Sequence, residues 1–555
     1  MLQTNFKIEG SYIYNQKKYD FSGDLCEHFS LEVNTDANHL KIKILPKAAV
    51  EFCSFNVIFP YDYSGDCRIL PNGYQSWTDT REYRKNDRMS HIYLTARRNV
   101  FNTSLKNVGD YTFTHYSKRR GVFHGFSYGY VRWNNKYELI GSLSERNGYT
   151  IIYFDCPEGT LTIQKDMEGV LIQEPYEAMD VVFCKGSEQE VFDAYFRAMN
   201  IPKPREHRRA GYTTWYNYYP NINEKIVSDD MEALAKLDEK IDIFQIDDGY
   251  QTAVGDWLSI DNKKFPNGMK KVADTIHAKG LLAGIWLAPT SAQKGSDFEK
   301  EHSEWLIRDG QGNLVECGQN WGGFYSLDTD HPKVREHIRH FFDVILNEWG
   351  FDMVKLDFLY SVSIIPRNNK SRGQLMCECM DFLRECVGDK LILGCGVPLA
   401  PAFGKVDFCR TGADMGLSWG RNPYFYSTHR EDVSTERNIY NTIFRRGLNG
   451  RAFVNDPDVI LLRDYNIHMD AARRELIAKI NTLFGGLIFI SDNIGRYNDE
   501  QMRQFRAALK ERDTQIESAE YISKKEIRVI YSQNGQKYRL IFNAINGKWS
   551  EEKCN

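Results

Sequence analysis

Hydrophobic and polar residues alternate in short runs over the first 200 residues of the chain. Clear examples are His39 to Leu45, Glu51 to Phe59, Tyr128 to Trp133, Tyr149 to Phe154 and Leu161 to Gln164. A period of two, with turn residues between the runs, is typical of strands that bury one face. Residues 1–200 are therefore predicted to form an antiparallel β-sandwich.

The pattern changes after the proline-containing stretch Ile201 to Glu206. Apolar runs of strand length follow at Gly211 to Tyr216, Ile241 to Asp247, Leu281 to Leu287, Met353 to Phe358, Leu391 to Cys395, Val406 to Arg410, Ala452 to Asn455 and Gly486 to Ser491. Helical periodicity separates them, for example at Glu224 to Lys240, Gly268 to Lys279, Pro332 to Trp349, Gln374 to Val387, Thr435 to Leu448 and Met469 to Phe484. Eight strand–helix units over residues 201–512 predict a (β/α)₈ TIM barrel. The alternative is a doubly wound sheet, but no glycine-rich nucleotide motif follows any strand.

The end of the chain returns to a strand pattern. The runs Glu526 to Tyr531 and Gln536 to Phe542 flank Asn534-Gly535, the pair preferred in two-residue hairpin turns. Residues 513–555 are predicted to form a small antiparallel β-domain.

Composition narrows the range of functions. Of 555 residues, 42% are hydrophobic and 26% charged, and 71 basic against 75 acidic residues give a net charge of -4. This balance indicates a folded protein with a neutral substrate and disfavours nucleic acid or an anionic membrane as a partner. Apolar runs fall short of the roughly 18 to 20 residues that span a bilayer. The N-terminus lacks a signal-peptide pattern, and the 12 cysteines form no CxxC pair, so we expect a cytoplasmic protein with free thiols, no metal and no cofactor.

Acidic residues recur at the predicted carboxyl ends of barrel strands, where active sites of this fold are built. Strand two ends in Asp247-Asp248, strand four in Asp357, and strand six runs into Asp414. One such residue is readily explained by a structural ion pair. Three at equivalent strand ends favour a functional site, because a charge inside an apolar run costs several kcal/mol unless it is paired or solvated.

Lys355 and Asp357 lie two residues apart on a strand and therefore share a face. The ammonium would keep the carboxylate ionised, as a nucleophile requires, although a buried salt bridge would have the same sequence. Two carboxylates across a barrel mouth without a metal-ligand array suit glycoside hydrolysis, in which one attacks the anomeric carbon and the other protonates the leaving oxygen.

Tryptophans are predicted at the same level of the barrel. Trp215 is placed on strand one and Trp286 on strand three, and Trp77 lies in the N-terminal domain. Core packing explains a single tryptophan, but two beside carboxylates favour a sugar site. His337 and His340 are expected to face solvent on an outer helix and to bind no metal.

Taken together, these motifs resemble the α-galactosidases of glycoside hydrolase family 36. The resemblance rests on Asp-Asp-Gly-Tyr at Asp247, Lys-Leu-Asp-Phe at Lys355, Arg-x-x-x-Asp at Arg410, and Asn-Gly-Tyr-Gln-Ser-Trp ending at Trp77. It extends from Asn72 to about Asp492.

The resemblance implies a retaining mechanism with Asp357 as nucleophile and Asp414 as acid/base. It also implies that Asp247 and Asp248 hold the hydroxyls at C4 and C6, and that Lys355 and Arg410 hold those around C2 and C3. Trp215 and Trp286 would then wall the sugar, Cys395 would line the pocket, and Trp77 would reach over from the N-terminal domain.

The sequence leaves the substrate and the assembly open. The stretch Gly394 to Pro401 differs from the Ser-Cys-x-Gly-Gly-Gly type of longer family members, so the chain resembles the compact ones. An exo-acting α-galactosidase for melibiose or raffinose is the leading hypothesis. The alternatives are an α-N-acetylgalactosaminidase, a broad exo-α-glycosidase of the same clan, and a catalytically silent sugar-binding protein. The same barrel and carboxylates also serve galactosyl transferases acting on raffinose sugars, and the sequence leaves a homo-oligomer open.

Overall fold

The computed structural model describes residues 5–90, 102–237, 239–420, 429–510 and 512–554. It confirms the predicted fold class: a central (β/α)₈ barrel, an N-terminal antiparallel β-sandwich and a small C-terminal β-domain. The domain limits at residues 200 and 512 stay predictions.

Two antiparallel sheets form the sandwich. One has the strands, in spatial order, Lys17–Ser22, Lys7–Tyr14, Val50–Pro60, Thr160–Lys165, Thr150–Asp155 and Val122–Phe126, with Leu171–Ile172 paired to the third of these. The other has Phe29–Thr35, His39–Pro46, Tyr176–Gly186, Lys136–Ser142, Tyr128–Trp133 and Arg68–Pro71. The alternation in the sequence has a direct structural counterpart, since Leu40, Ile42 and Ile44 of one strand are all fully buried between the sheets. The helices Asn102–Val108 and Glu188–Met199 complete this part of the chain.

The barrel strands are numbered one to eight in chain order. Strands one to six are Arg209–Thr213, Ile243–Ile246, Leu282–Leu287, Met353–Leu356, Leu391–Gly394 and Phe408–Arg410. Strand seven is split into Val454–Asp456 and Val459–Ile460, and strand eight is Leu487–Ile490. All pairings are parallel. The first half of strand seven pairs with strand six and the second half with strand eight. Because only two residues separate the halves, strand seven closes the barrel.

Helices surround the barrel. They are Glu224–Leu234, Gly268–His277, Asp297–Glu301, Pro332–Asp343, Arg372–Val387, Leu399–Ala402, Thr435–Phe444, Ala471–Phe484 and Asp499–Leu509. A small antiparallel sheet of Ser291–Gln293, Glu316–Gly318 and Phe324–Ser326 is inserted after strand three. The predicted helix ends differ most at Glu224–Leu234, which stops six residues before the expected Lys240. The helix Pro332–Asp343 continues as the π-helical turn Val344–Glu348, which ends one residue before the expected Trp349.

Two local predictions were wrong. Trp215 is not on strand one, because that strand ends at Thr213 and Trp215 begins the one-turn helix Trp215–Tyr218. His337 does not face solvent, since its ring packs 4.9 Å from Phe298 and 5.5 Å from Phe341. Burial there lowers the pKa of His337 to about 4. His340, one turn further on, is exposed as expected.

The C-terminal domain is a four-stranded meander of Thr514–Tyr521, Glu526–Gln533, Gln536–Asn543 and Trp549–Cys554. The predicted hairpin is confirmed, since Gln533 pairs with Gln536 across a turn in which Asn534 and Gly535 both have positive φ. Among the residues described, no helix has both the length and the apolar character needed to cross a membrane.

Candidate active site

A cavity of about 260 Å³ opens at the carboxyl ends of the barrel strands. Eight of the ten predicted site residues line it: Trp77, Trp215, Asp247, Asp248, Trp286, Lys355, Asp357 and Asp414. The other two, Cys395 and Arg410, are buried behind the wall and contact Trp77 and Asp414 respectively. The fold therefore brings these predicted residues together in one cavity, although they lie up to 337 positions apart in the sequence (Trp77 to Asp414).

Asp357 comes directly after strand four and accepts hydrogen bonds from a side chain and from the backbone. The Trp286 indole Nε1 donates to its Oδ2 at 3.1 Å, and the Phe358 backbone amide donates to its Oδ1 at 2.9 Å. Phe358 adopts φ 56°, an uncommon conformation for an aromatic residue, and the sharp turn is what aims its amide at the carboxylate. The donors fix the carboxylate in one orientation.

Lys355 has a different partner from the one expected. Its ammonium donates to Asp247 Oδ2 at 2.9 Å, not to Asp357. Burial alone would lower the pKa of Lys355, but the Asp247 carboxylate outweighs it and raises that pKa. Burial also raises the pKa of Asp357, with Lys355 and the Trp286 hydrogen bond opposing the rise. Asp357 therefore ionises less readily than an ordinary aspartate, and Lys355 limits that effect from a distance.

The Asp247-Asp248 pair is held by hydrogen bonds on both carboxylates. Asp247 Oδ2 also accepts from Gln245 at 2.7 Å. Asp248 accepts from Gln251 at 2.6 Å and from the Trp321 indole at 2.9 Å. Burial raises the pKa of Asp248, and these donors limit the rise. Both carboxylates are positioned to accept hydrogen bonds from a polyhydroxylated ligand in the cavity.

Asp414 lines the same cavity and is the more accessible of the two predicted catalytic carboxylates, with 35% of its side chain exposed. Arg410 donates to its Oδ1 at 2.9 Å. Burial favours the protonated form, but Arg410 and then Lys355 outweigh it and lower the pKa of Asp414. The neighbouring guanidinium therefore favours the ionised form of this carboxyl group.

The N-terminal domain completes the wall. The Trp77 indole donates to Cys395 Sγ at 3.4 Å, and its ring stands edge-on to Phe358 at 5.0 Å. Gly396 makes this approach feasible: it has φ 53°, and a Cβ there would lie 2.8 Å from the Trp77 ring. The Ser76 amide also donates to the Val397 carbonyl at 2.9 Å, which ties the loop to the barrel.

Sequence reasoning missed several residues at the cavity. Trp321 lies in the short helix Asn320–Gly322 with φ 56°, and its ring is 4.7 Å from that of Phe358. Glu431 also lines the cavity and accepts hydrogen bonds from Thr78 and Tyr111, both at 2.8 Å. His429 is beside it, and the Asp432 and Glu431 carboxylates raise its pKa to about 9 against the effect of burial.

Signals for these residues were weak. Trp321 comes more than thirty residues after strand three, inside an insertion and between two glycines. The hydrophobic pattern of that segment predicts neither a helix nor a strand that would place Trp321 at the cavity. Within the ranges that the structure describes, no group of three or more His, Cys, Asp or Glu side chains is arranged to hold a metal ion. All 12 cysteines fall in these ranges, and each is a free thiol.

Comparisons with known proteins agree with this geometry. Residues 193–378 match the melibiase family model. The chain is 30% identical over 179 residues to an α-galactosidase of Escherichia coli, covering 31% of this chain and 24% of that protein. It is also 30% identical over 168 residues to α-galactosidase Mel36A of Lactobacillus acidophilus, covering 29% and 22%. The matched region thus spans about a quarter of the length of these curated relatives.

A solved structure extends the likeness to nearly the whole chain. The α-galactosidase TtGalA of Thermus thermophilus, in complex with p-nitrophenyl α-D-galactopyranoside, superimposes with a TM-score of 0.71 at 23% identity. The match covers 92% of this chain and 98% of that one. The resemblance drawn from the motifs is confirmed at this level: residues 193–378 match the melibiase family model, and the chain has the fold of the family 36 α-galactosidases.

Proposed function

We propose that this melibiase-domain protein is a retaining, exo-acting α-galactosidase, a glycoside hydrolase that removes terminal α-linked galactose from oligosaccharides such as melibiose and raffinose. The observation that carries the proposal is the placement of Asp357 and Asp414 in one cavity with the hydroxyl-accepting pair Asp247-Asp248. The cavity is small, below the volume range of common ligand pockets, and this favours the binding of a single terminal sugar.

In the first step, the Asp357 carboxylate attacks the anomeric carbon while Asp414 gives its proton to the glycosidic oxygen. The bond to the leaving group breaks and a covalent β-galactosyl intermediate forms on Asp357. In the second step, Asp414 takes a proton from water, which attacks the same carbon and releases galactose. Two inversions restore the α configuration, and Trp286 and the Phe358 amide keep Asp357 aligned in both steps.

The remaining polar residues bind the sugar. Asp247, Asp248 and Lys355 face the cavity and suit the ring hydroxyls, and the Trp215, Trp286 and Trp77 rings provide apolar walls for its C–H faces. Arg410 does not face the sugar in this arrangement but donates a hydrogen bond to Asp414. Cys395 accepts a hydrogen bond from Trp77 and limits the rise in the pKa of Asp357 through a side-chain hydrogen bond. We also propose a cytoplasmic location, which the 12 free thiols support.

A panel of four aryl glycosides tests the proposal: α-galactoside, α-N-acetylgalactosaminide, α-glucoside and β-galactoside. The α-galactoside should have the highest kcat/KM, and EDTA should leave that rate unchanged. Preference for the N-acetylgalactosaminide would support the alternative activity on the same site. Absence of turnover on all four would refute the enzymatic proposal and favour a sugar-binding protein.

A further inference from the structure

Behind Asp414, three carboxylates share one guanidinium. Arg410 is 2.9 Å from Asp414 Oδ1, 2.9 Å from Asp458 Oδ1 and 3.3 Å from Asp456 Oδ2. The side chains of Asp456 and Asp458 are fully buried, and that of Arg410 is 4% exposed. Only Asp414 reaches the cavity.

Asp458 lies at the break in strand seven. It has φ 79°, an uncommon conformation for a residue with a side chain, and its amide donates to Asp456 Oδ1 at 2.8 Å. The Met415 amide donates a hydrogen bond to Asp458 Oδ2 at 2.8 Å, and the Tyr216 hydroxyl donates to the same oxygen. A strained turn is thus used to place this carboxyl group beside Arg410.

The charges of this cluster do not balance when every carboxyl group is ionised. Three carboxylates against one guanidinium leave two uncompensated negative charges, and two of the three carboxylates are fully buried. Lys355, which also acts on Asp414, is paired with Asp247. Buried charge of this kind is relieved by taking up a proton. Burial, with Asp414 and Asp456 nearby, raises the pKa of Asp458 to about 7 against the effect of Arg410.

The acid/base has the opposite problem. Asp414 must be protonated for the first step, yet Arg410 lowers its pKa. The buried Tyr216 hydroxyl donates to Asp458, and it also lowers the pKa of Asp414. The proton that Asp414 lacks is therefore held by the carboxyl group on the other side of Arg410.

We infer that Asp458 is a positioning residue for the acid/base: it shares one proton with Asp414 across the guanidinium of Arg410, and so keeps a general acid available at neutral pH. The inference rests on the proposed function. When Asp414 protonates the leaving oxygen, the pair gives up its one proton and both carboxyl groups are ionised. The proton that Asp414 takes from water in the second step restores the pair, so the cycle is balanced.

Two variants should shift the pH profile in opposite directions. Groups that interact this closely titrate as a pair, so the alkaline limb of kcat/KM on melibiose reports the upper pKa of the pair. Asp458→Asn removes the proton store and leaves Asp414 beside Arg410, so the limb should move down by about 2 pH units. Tyr216→Phe removes a donor that favours the ionised forms, so the limb should move up by about 1 unit.

The leaving group and a matched control separate this role from damage to the fold. An aryl α-galactoside with an activated phenolate leaving group needs no proton, and its alkaline limb should stay unchanged in both variants. Asp230→Asn is the control, because Asp230 is buried, bonds Tyr212 and has a pKa raised by burial to about 6, but does not line the cavity. Its profile should match that of the parent.

The outcomes are distinguishable. Three results would overturn the inference and leave the α-galactosidase proposal intact. They are an unshifted alkaline limb on melibiose in Asp458→Asn, shifts of the limb in the same direction in both variants, and equal shifts on both substrates. If Asp458→Asn does not fold, the direction of the Tyr216→Phe shift decides. Failure of the parent protein to cleave either substrate would refute the proposed function and this inference with it.

Discussion

At the scale of single residues, the two carboxylates on the cavity make different demands on the substrate. Asp357→Gly removes the proposed nucleophile, so activity on every substrate should fall on the order of 10⁴-fold or more. Azide should restore turnover of an activated aryl α-galactoside and give β-galactosyl azide, since one displacement inverts the anomeric carbon. Product analysis by proton NMR is the measurement.

Asp414→Ala is the matched comparison for this prediction. It should retain the first step with an activated leaving group, lose it with melibiose, and give α-galactosyl azide, because azide then attacks the covalent intermediate. The same azide anomer from both variants would contradict the assignment of the two roles.

Much of the residue-level site was predictable from the sequence, and the limits have a physical cause. A carboxylate after an apolar run is costly, so Asp247, Asp248 and Asp357 stand out against their surroundings. Asp456 and Asp458 also follow an apolar run, that of strand seven. Because Pro457 lies between them, the sequence there resembles an ordinary turn. Trp321 gave no such signal, because its partner Asp248 is distant in sequence and only the fold brings them together.

At the scale of elements, the barrel strands were predicted more closely than the loops and helical turns after them. A four-residue buried run such as Ile243–Ile246 is largely apolar on both faces and is therefore easily recognised, as are the equivalent runs of strands three to six and eight. Trp215 was assigned to strand one because the apolar run continues past Thr213. Its helical turn depends on tertiary contacts, including the Ser491 hydroxyl accepting from the Tyr216 amide.

The outer helix Pro332–Asp343 provides a prediction on stability. The pKa of His337 is lowered to about 4 by burial against Phe298 and Phe341, whereas in the unfolded chain it is about 6.5. The unfolded state therefore binds more protons between these values, and stability falls as the pH drops from 6.5 to 4. The loss should be on the order of 1–3 kcal/mol at the end of that window.

Urea unfolding at pH 7 and pH 5 measures this effect. His337→Gln cannot take up the proton, so its unfolding free energy should depend less on pH than that of the parent. His340→Gln, on the same helix but exposed, is the control and should behave like the parent. An equal pH dependence in His337→Gln and the parent would contradict the assignment.

At the scale of the whole molecule, the sandwich and the barrel act together at one cavity. The alternating pattern of residues 1–200 predicted the sandwich, but nothing in periodicity indicates that its loop enters the barrel mouth. That placement depends on contacts between the domains, such as Arg445, which is fully buried and donates to the Ser76 carbonyl at 2.5 Å. Trp77 was identified through the family resemblance, not through its own pattern.

Trp77→Ala tests the joint site. The variant should bind galactose about tenfold more weakly, because it loses an apolar wall and admits water, while the melting temperature changes little. Trp133→Ala is a control in the same domain, since its indole donates to Ser64 and does not line the cavity. Equal galactose affinity in Trp77→Ala and the parent would assign that tryptophan to packing alone.

The central claim is that Asp357 forms a covalent intermediate and that the enzyme retains configuration. Proton NMR of the sugar released first from an aryl α-galactoside, recorded before mutarotation, tests it most directly. The account predicts α-galactose as the first product. Initial release of β-galactose would contradict the retaining mechanism and, with it, the role of Asp357 as nucleophile.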